Sequence, residues 1–409
     1  MGTEPDDTCE VAIVGGGPAG LAAATELRAL GIGSVIVIER EAEIGGIPRH
    51  CGHYPFGMRE FNRVLRGPDY AARLAARARD SGVDIRTGAS VVAITGGPRL
   101  TLSTPGGLRT LAAQKVLLAT GVREKSRAAR MIGGTKPGGV LSTGALQGLV
   151  YLDRIRPFLH PVILGTELVA FSALLTCRHL GIRPLAMIEP SARVTAPRAS
   201  GFFPRLTGTE LLLQTELIAI RGDARVEEVV LRDRAGSTRT LATDGVIVTG
   251  KFLPEASLLA GSHIEVDPKS GGPVVDQFGR CSDPDVFAAG NLLRAVETAG
   301  WSWSEGLAAA RTIAQSLSGE LPAPAHATTV RVEGPLKYVV PQRIAEGPAA
   351  ASFQLRVSRA ASGTLRLAVD GREVWSRRIR ALPEQRIIVP LSALPPLAGA
   401  SALFSIAEG

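Results

Sequence analysis

Residues Glu10 to Glu39 read E-V-A-I-V-G-G-G-P-A-G-L-A-A-A-T-E-L-R-A-L-G-I-G-S-V-I-V-I-E. The pattern is an apolar strand, a glycine turn, a helix rich in alanine, and a second apolar strand that ends in a carboxylate. Each glycine has a separate role, in that Gly15 makes the tight turn, Gly17 lets backbone approach a diphosphate, and Gly20 lets helix pack closely on strand. Pro18 and Ala19 open the helix, whose positive N-terminus receives the diphosphate, and Glu39 accepts hydrogen bonds from a ribose. An ADP-containing cofactor is therefore expected at this end of the chain.

Composition sets the outer limits. The 409 residues, 45% hydrophobic and 21% charged, describe an ordinary globular chain with room for two or three domains. No apolar run approaches the length needed to cross a bilayer, and the first residues are short and acidic; a cytoplasmic protein without signal peptide or membrane span is expected. The four cysteines, Cys9, Cys51, Cys177 and Cys281, are scattered without a C-x-x-C pair, which argues against a zinc site or an iron–sulfur cluster. No metal site is expected. The net charge of +8 is spread along the chain, with local clusters such as Arg377, Arg378 and Arg380. Without interleaved aromatic residues these read as solvated faces or contacts to an acidic protein, not as a nucleic-acid track.

An internal repeat gives the architecture. After the first β-α-β unit come a helical stretch around Tyr70 to Ser81, strand-like segments Val83–Arg86, Ser90–Ile94 and Leu100–Ser103, and a buried run from Lys115 into Ala119-Thr120-Gly121. A second copy opens at Pro161–Gly165, continues through a helix to Pro184–Glu189, passes strand-like Leu217–Ile220 and Val226–Arg232, and closes at Asp244–Gly250. The last element of the first copy appears only at Asp285–Asn291. The predicted fold class is thus α/β, with two Rossmann-like nucleotide-binding domains, the second inserted into the first. Residues 8–125 with 270–320 form the first domain and 155–255 the second.

This order of motifs resembles the glutathione-reductase-like superfamily of FAD flavoproteins with two dinucleotide-binding domains, over roughly residues 10 to 320. The resemblance implies FAD as cofactor. It implies that Gly15, Gly17 and Gly20 hold the diphosphate and Glu39 the adenosine ribose. Gly45, Gly46, Ala119, Thr120 and Gly121 would line the cofactor, with Arg40 and Val91 among the lining positions, and Gly290 and Asn291 would meet the ribityl and phosphate portion. More narrowly, Gly45–His53 and Glu297–Gly306 look like the α subunits of heteromeric amine and opine dehydrogenases, the group of hydrogen cyanide synthase, opine oxidase and hydroxyproline dehydrogenase. That likeness implies partnership with a second flavoprotein dehydrogenase subunit, with a separate iron–sulfur subunit beside it.

Three departures from the superfamily pattern carry information. Only Cys51 stands where the reductases place two thiols, so dithiol–disulfide chemistry is excluded there. Cys51 remains a candidate for single-thiol chemistry beside the flavin, because Arg49, His50 and His53 are cationic or potentially cationic neighbours that lower a thiol pKa. Its alternative is a thiol packed under the cofactor. His50 and His53 are candidate proton-transfer groups.

Next, the second domain reads Gly165-Thr166-Glu167-Leu168-Val169-Ala170, with Glu167 where backbone should approach a nicotinamide dinucleotide. A carboxylate about 4 Å from a phosphate charge costs on the order of 4 kcal/mol at an effective dielectric of 20, roughly a thousandfold in affinity. NAD(P) binding is therefore disfavoured. Finally, Asn291 replaces the usual aspartate, keeping one acceptor oxygen and adding donors. A helix over about Ser304–Ser316 follows, with Trp301 and Trp303 just ahead of it, either against the flavin, against a partner or in the core.

Beyond a proline- and alanine-rich linker at Leu321–Ala327, residues 328–409 alternate apolar and polar with period two in Phe353–Arg359 and Thr364–Val369. Asp370-Gly371 is a hairpin turn into Arg372–Arg380, and Arg386–Leu391 is a further strand. A small C-terminal β-rich module, used for docking or oligomerisation, is expected. Three functions fit these residues. The first is an electron-relay flavoprotein subunit of a multi-component dehydrogenase for an amine, opine or hydroxy acid. The second is a self-contained NAD(P)H-dependent reductase using Cys51, and the third a structural flavin-binding subunit.

Overall fold

The computed structural model describes residues 5–324, 327–347, 351–397 and 401–408. Strand β1 (Asp7–Val14) lies at the centre of a parallel sheet, and its Val11, Ala12 and Ile13 are fully buried because both faces are covered. On one side β1 pairs with β2 (Val35–Ile38), which pairs with Asp84–Arg86. On the other it pairs with the C-terminal half of the strand Gly107–Leu118, which carries Val286–Ala288 on its far edge. The returning strand thus closes the first sheet only after the second nucleotide fold has been completed.

Helix α1 (Pro18–Ala29) and the long helix Ala299–Leu317 cover one face, where Ala19, Ala23, Ala24 and Leu27 meet Ala309, Ala310 and Ile313. Small side chains bring these backbones together. A Cβ on Gly20 would run into the Gly15 carbonyl, and one on Gly306 into the Ala19 carbonyl. The other face is covered in part by the antiparallel extension Ser90–Thr95, Arg99–Thr104 and Gly107–Leu118, which buries Leu100, Leu102 and Leu111.

The second sheet repeats the first. It is parallel throughout, in the order 210–213, 186–189, 162–164, 246–248 and 140–142. Its last strand, Val140–Ser142, comes before the rest in the chain and was not read from the sequence; nor was the helical stretch Thr143–Leu152 behind it. Strands Thr215–Arg221, Glu228–Asp233 and Thr238–Ala242 form the antiparallel insertion expected before the final strand. The chain crosses between the two folds twice, and the crossings pair with each other as the short ladder Val122–Arg123 with Leu253–Pro254.

The C-terminal residues form two facing sheets. One runs in the order 343–344, 328–332, 401–408, 361–369, 372–381, and the other 336–340, 352–357, 387–390. Period-two alternation points Phe353, Leu355, Leu365, Leu367, Val389 and Phe404 inward. Phe353 and Phe404 meet edge-on with centroids 5.1 Å apart, each burial worth about 1.5–3 kcal/mol. The Asp370-Gly371 turn has φ of +45° and +84°, as a two-residue hairpin with right-handed strand twist requires. Among the described residues no helix is long and apolar enough to cross a membrane.

Candidate functional site

The expected cofactor residues converge at the C-terminal edge of the first sheet. Gly15, at φ +112°, faces Ala119: a Cβ there would stand 2.5 Å from the Ala119 oxygen and 3.3 Å from the Thr120 nitrogen. Gly46, at φ +62°, lies over Gly17, while the nearest atom to a Cβ on Gly17 is 3.9 Å away and a Cβ on Gly121 would meet nothing within 4 Å. Gly45 bonds its amide to the Gly16 carbonyl at 2.7 Å, tying the second glycine pair to the first. Glu39 is buried, accepting from the Gly16 amide at 2.9 Å and the Glu41 amide at 2.9 Å.

Helix α1 begins at Gly17 in extended backbone, with Pro18 in its first turn, no capping side chain and no acid in that turn. Its first amides and its dipole are therefore left for an external anion. The long helix Ala299–Leu317 starts beside it, again without a side-chain cap or an early acid. Gly290 sits between them, a Cβ there meeting Ala19 Cβ at 2.9 Å and Ser302 Cβ at 3.6 Å. The buried Ser302 Oγ, His50 Nδ1 and Arg49 Nε have no partner among the described residues. Two uncapped helix starts, an open Gly17–Gly121 edge and these unpaired polar atoms form a donor set that fits a dinucleotide diphosphate with its attached ring system.

The remaining expected residues have partners within the chain or lie at the surface. Asn291 does not face outward: its Nδ2 donates to the Glu297 carbonyl at 3.2 Å, and its Oδ1 accepts from the Glu297 amide at 2.6 Å. The Gly290 amide donates to Glu305 at 3.1 Å. Arg40 is exposed and pairs with Glu41 at 3.7 Å, and Val91 packs half-buried against the sheet core. The last helix begins at Ala299, five residues earlier than the sequence indicated, because Gly300 fits closely against Arg59 and Glu60. Both tryptophans consequently lie within the helix. Trp303 packs against the cluster around Tyr70 and Leu21, and Trp301 lies between the guanidinium groups of Arg59 and Arg386, 4.0 and 3.9 Å from its ring centre.

Cys51 is buried, and the expectation of a lowered thiol pKa is overturned. Burial, followed by the charge of Glu124, pushes it up to about 12. Its Sγ lies 3.5 Å from Gln147 Oε1, and the Tyr151 ring covers Gly52 so closely that no side chain fits there. Both covering residues belong to the stretch Thr143–Leu152 that the sequence reading missed. His50 is held below the usual histidine range by burial and then by Arg49, and His53 Nδ1 lies 3.1 Å from the Tyr54 carbonyl. All four cysteines are free and buried, and among the described residues no group of three ligating side chains is placed for a metal.

The turn of the second fold carries larger, hydrogen-bonded side chains where the first carries glycines. Thr166 stands where Gly16 stands in the first copy, and its hydroxyl bonds Glu189 at the end of the second strand. Glu189 also accepts from the Ser191 amide at 2.9 Å, just as Glu39 accepts from the Glu41 amide in the first copy, so the two acids are held alike and the copies differ at Thr166 and Glu167. The Glu167 side chain lies in the space beside Gly165 and Gly250, where a Cβ on either glycine would overlap its carboxylate. Arg130 closes the same corner, donating to the carbonyls of Thr249 and Gly250, and the Glu124 carboxylate takes the amides of Gly250 and Gly144, each at 2.9 Å. Burial raises Glu167 to about 7. The sequence identified Glu167 through the missing glycine; Arg130 and Glu124 carried no such signal.

Residues 8–64 match the FAD binding domain family. The chain is an FAD-dependent oxidoreductase with two dinucleotide-binding folds. It is 24% identical over 324 residues to thioredoxin reductase of Aquifex aeolicus, spanning 78% of this chain and 96% of that one. It is 25% identical over 322 residues to one subunit of the opine oxidase of Agrobacterium tumefaciens, spanning 71% of this chain and 62% of that polypeptide. In fold, this flavoprotein overlays T. acidophilum thioredoxin reductase with a TM-score of 0.64 at 22% identity, covering 76% of this chain and 99% of the other. It overlays L-proline dehydrogenase from P. horikoshii with a TM-score of 0.60 at 18% identity, covering 79% and 58%.

Proposed function

We propose that this flavoprotein is the electron-relay subunit of a multi-component dehydrogenase for an amine, opine or hydroxy acid, exchanging electrons with a partner subunit instead of free NAD(P)H. The observation that carries the reading is Glu167, whose carboxylate fills the corner between Gly165 and Gly250 where a dinucleotide diphosphate would approach. The absence of a thiol pair agrees with it, since the four free cysteines are buried and separate. Two relatives of similar identity, the opine oxidase polypeptide and the small chain of glutamate synthase from Mycobacterium tuberculosis, are themselves parts of larger enzymes by name. Bound FAD would supply the redox chemistry; the chain supplies the uncapped helix N-termini that favour negative charge.

Anaerobic titration with NADH and NADPH tests the proposal. The flavin spectrum is expected to remain oxidised on the timescale of minutes, and to bleach only with dithionite or a purified partner–substrate pair. Rapid full bleaching by either nucleotide sinks this reading in favour of a self-contained reductase. The identity of a stoichiometric co-purifying subunit then names the substrate class.

A further inference from the structure

The segment between Gly290 and the helix Ala299–Leu317 is held from outside its own domain. Strand Ser352–Val357 of the C-terminal sandwich places Arg356, itself buried, so that it donates to the carbonyl of Val296 at 2.6 Å and to Glu297 Oε1 at 3.1 Å. Arg386 of the same sandwich pairs with the other Glu297 oxygen at 3.3 Å and lies over the Trp301 ring. Asn291 grips the Glu297 backbone with two further hydrogen bonds, one to its carbonyl and one from its amide. Glu305, which accepts the Gly290 amide, is bonded in turn to Arg294 and, at 3.3 Å, to Gln354 of the sandwich.

We infer that Arg356 and Arg386 are positioning residues for the flavin: the C-terminal sandwich fixes the 290–301 segment, and through it Gly290 and the N-terminus of the long helix, against the cofactor. Three arginines and two glutamates meet in a network whose centre, Arg294, Glu297 and Arg356, is buried while Arg386 and Glu305 reach partly to the surface, so geometry is strongly specified there and a missing partner leaves Glu297 a buried, under-paired charge. Gly290 touches Ala19 of the diphosphate helix, so displacement of this segment moves one wall of the FAD cradle relative to the other. The net positive charge of the network adds to the dipole of the helix start, and together they favour the more negative, reduced form of a cofactor bound beside them. The sandwich is thus part of the cofactor site as well as a surface.

The test uses the purified full-length protein with Arg386→Gln, Arg386→Lys and Arg356→Gln. Three readouts are taken: FAD dissociation constant, flavin midpoint potential by equilibrium dye titration, and hydrogen exchange of residues 290–301 in the FAD-free protein. The two glutamine variants are expected to weaken FAD binding by about tenfold or more, lower the potential and open the segment to exchange, while Arg386→Lys restores binding to within about threefold. Should Arg356→Gln fail to fold, Arg386→Gln, whose side chain is partly at the surface, decides alone. Folded glutamine variants with wild-type potential, FAD affinity and segment protection overturn the inference, as does a fall in melting temperature unaccompanied by change in those three.

Discussion

The carboxylate of Glu167 occupies the space over Gly250, so that a Cβ on this glycine would coincide with it. The same side chain crowds Gly165, the one glycine of the second fingerprint that survives. Replacing Glu167 by glycine removes both the charge and the bulk. In the Glu167→Gly variant, NADH or NADPH is expected to bind with measurable affinity by isothermal titration calorimetry at pH 8, with a gain of at least about tenfold over the wild type. A single like charge about 4 Å from a phosphate is worth up to about 4 kcal/mol at an effective dielectric of 20. A variant that folds, retains FAD and still ignores both nucleotides would place the block at Thr166 and Arg130 instead.

Glu167 also makes stability depend on pH. Its pKa in the folded protein is raised to about 7 by burial, from the ordinary 4.5. The folded state therefore binds more protons than the unfolded chain between those values, and stability falls as pH rises from about 4.5 to 7. The loss is on the order of 3 kcal/mol for a shift of this size, less where solvent reaches the group. Glu167→Gln is expected to flatten this part of the profile and to raise stability at pH 8, read from melting temperatures across pH 5 to 8. An unchanged slope in the glutamine variant would show that other groups set the dependence.

Cys51 supplies a prediction of inertness. With its pKa near 12, the thiolate fraction at pH 7 is on the order of one in 10⁵, and Gln147 and Tyr151 shield the sulfur and its neighbour. Native protein is expected to resist alkylation by iodoacetamide at Cys51 for hours while the denatured chain reacts in minutes, as peptide mass spectrometry would show. Cys51→Ser is expected to retain flavin and to be reduced at the wild-type rate by dithionite and by the partner. Fast native labelling at pH 7 would restore the single-thiol reading.

The first β-α-β unit and its glycine turn were legible because their requirements are local. Gly15, Gly17, Gly20 and Glu39 are fixed by backbone geometry within one β-α-β unit, and the period-two alternation of the C-terminal strands depends only on which face is buried. The covering of Cys51 was hidden for the opposite reason. Gln147 and Tyr151 lie in a stretch punctuated by Gly138, Gly139, Gly144 and Gly148, which reads as loop, and the contacts of Gln147 with Cys51 and of Tyr151 with Gly52 join parts of the chain about a hundred residues apart. The start of the last helix was misplaced because Gly300 looks like a breaker, whereas its missing side chain makes room for Arg59 and Glu60. Glu297 meets partners from more than fifty residues away, and no spacing rule reaches across a sandwich to Arg356 and Arg386.

Gly306 offers the sharpest check on how the cradle is assembled. It lies on the long helix against the first turn of α1, and a Cβ there would strike the Ala19 carbonyl and approach Ala19 Cα at 3.0 Å. Neither backbone has a flexible neighbour to yield, so Gly306→Ala must push the two helices apart. The expected cost is about 1–3 kcal/mol of stability, as for overpacking elsewhere in a dense core. Because Ala19 and Gly290 flank the diphosphate position, the separation should weaken FAD as well, measured as a rise in the dissociation constant together with a lower melting temperature. Gly319→Ala, on the same polypeptide at a position where a Cβ meets nothing, is the control for lost glycine: its φ of +74° predicts a modest loss of stability with FAD affinity unchanged. If both variants lose FAD equally, the helix contact is not what holds the cradle, and the close approach of α1 to the long helix serves the fold alone.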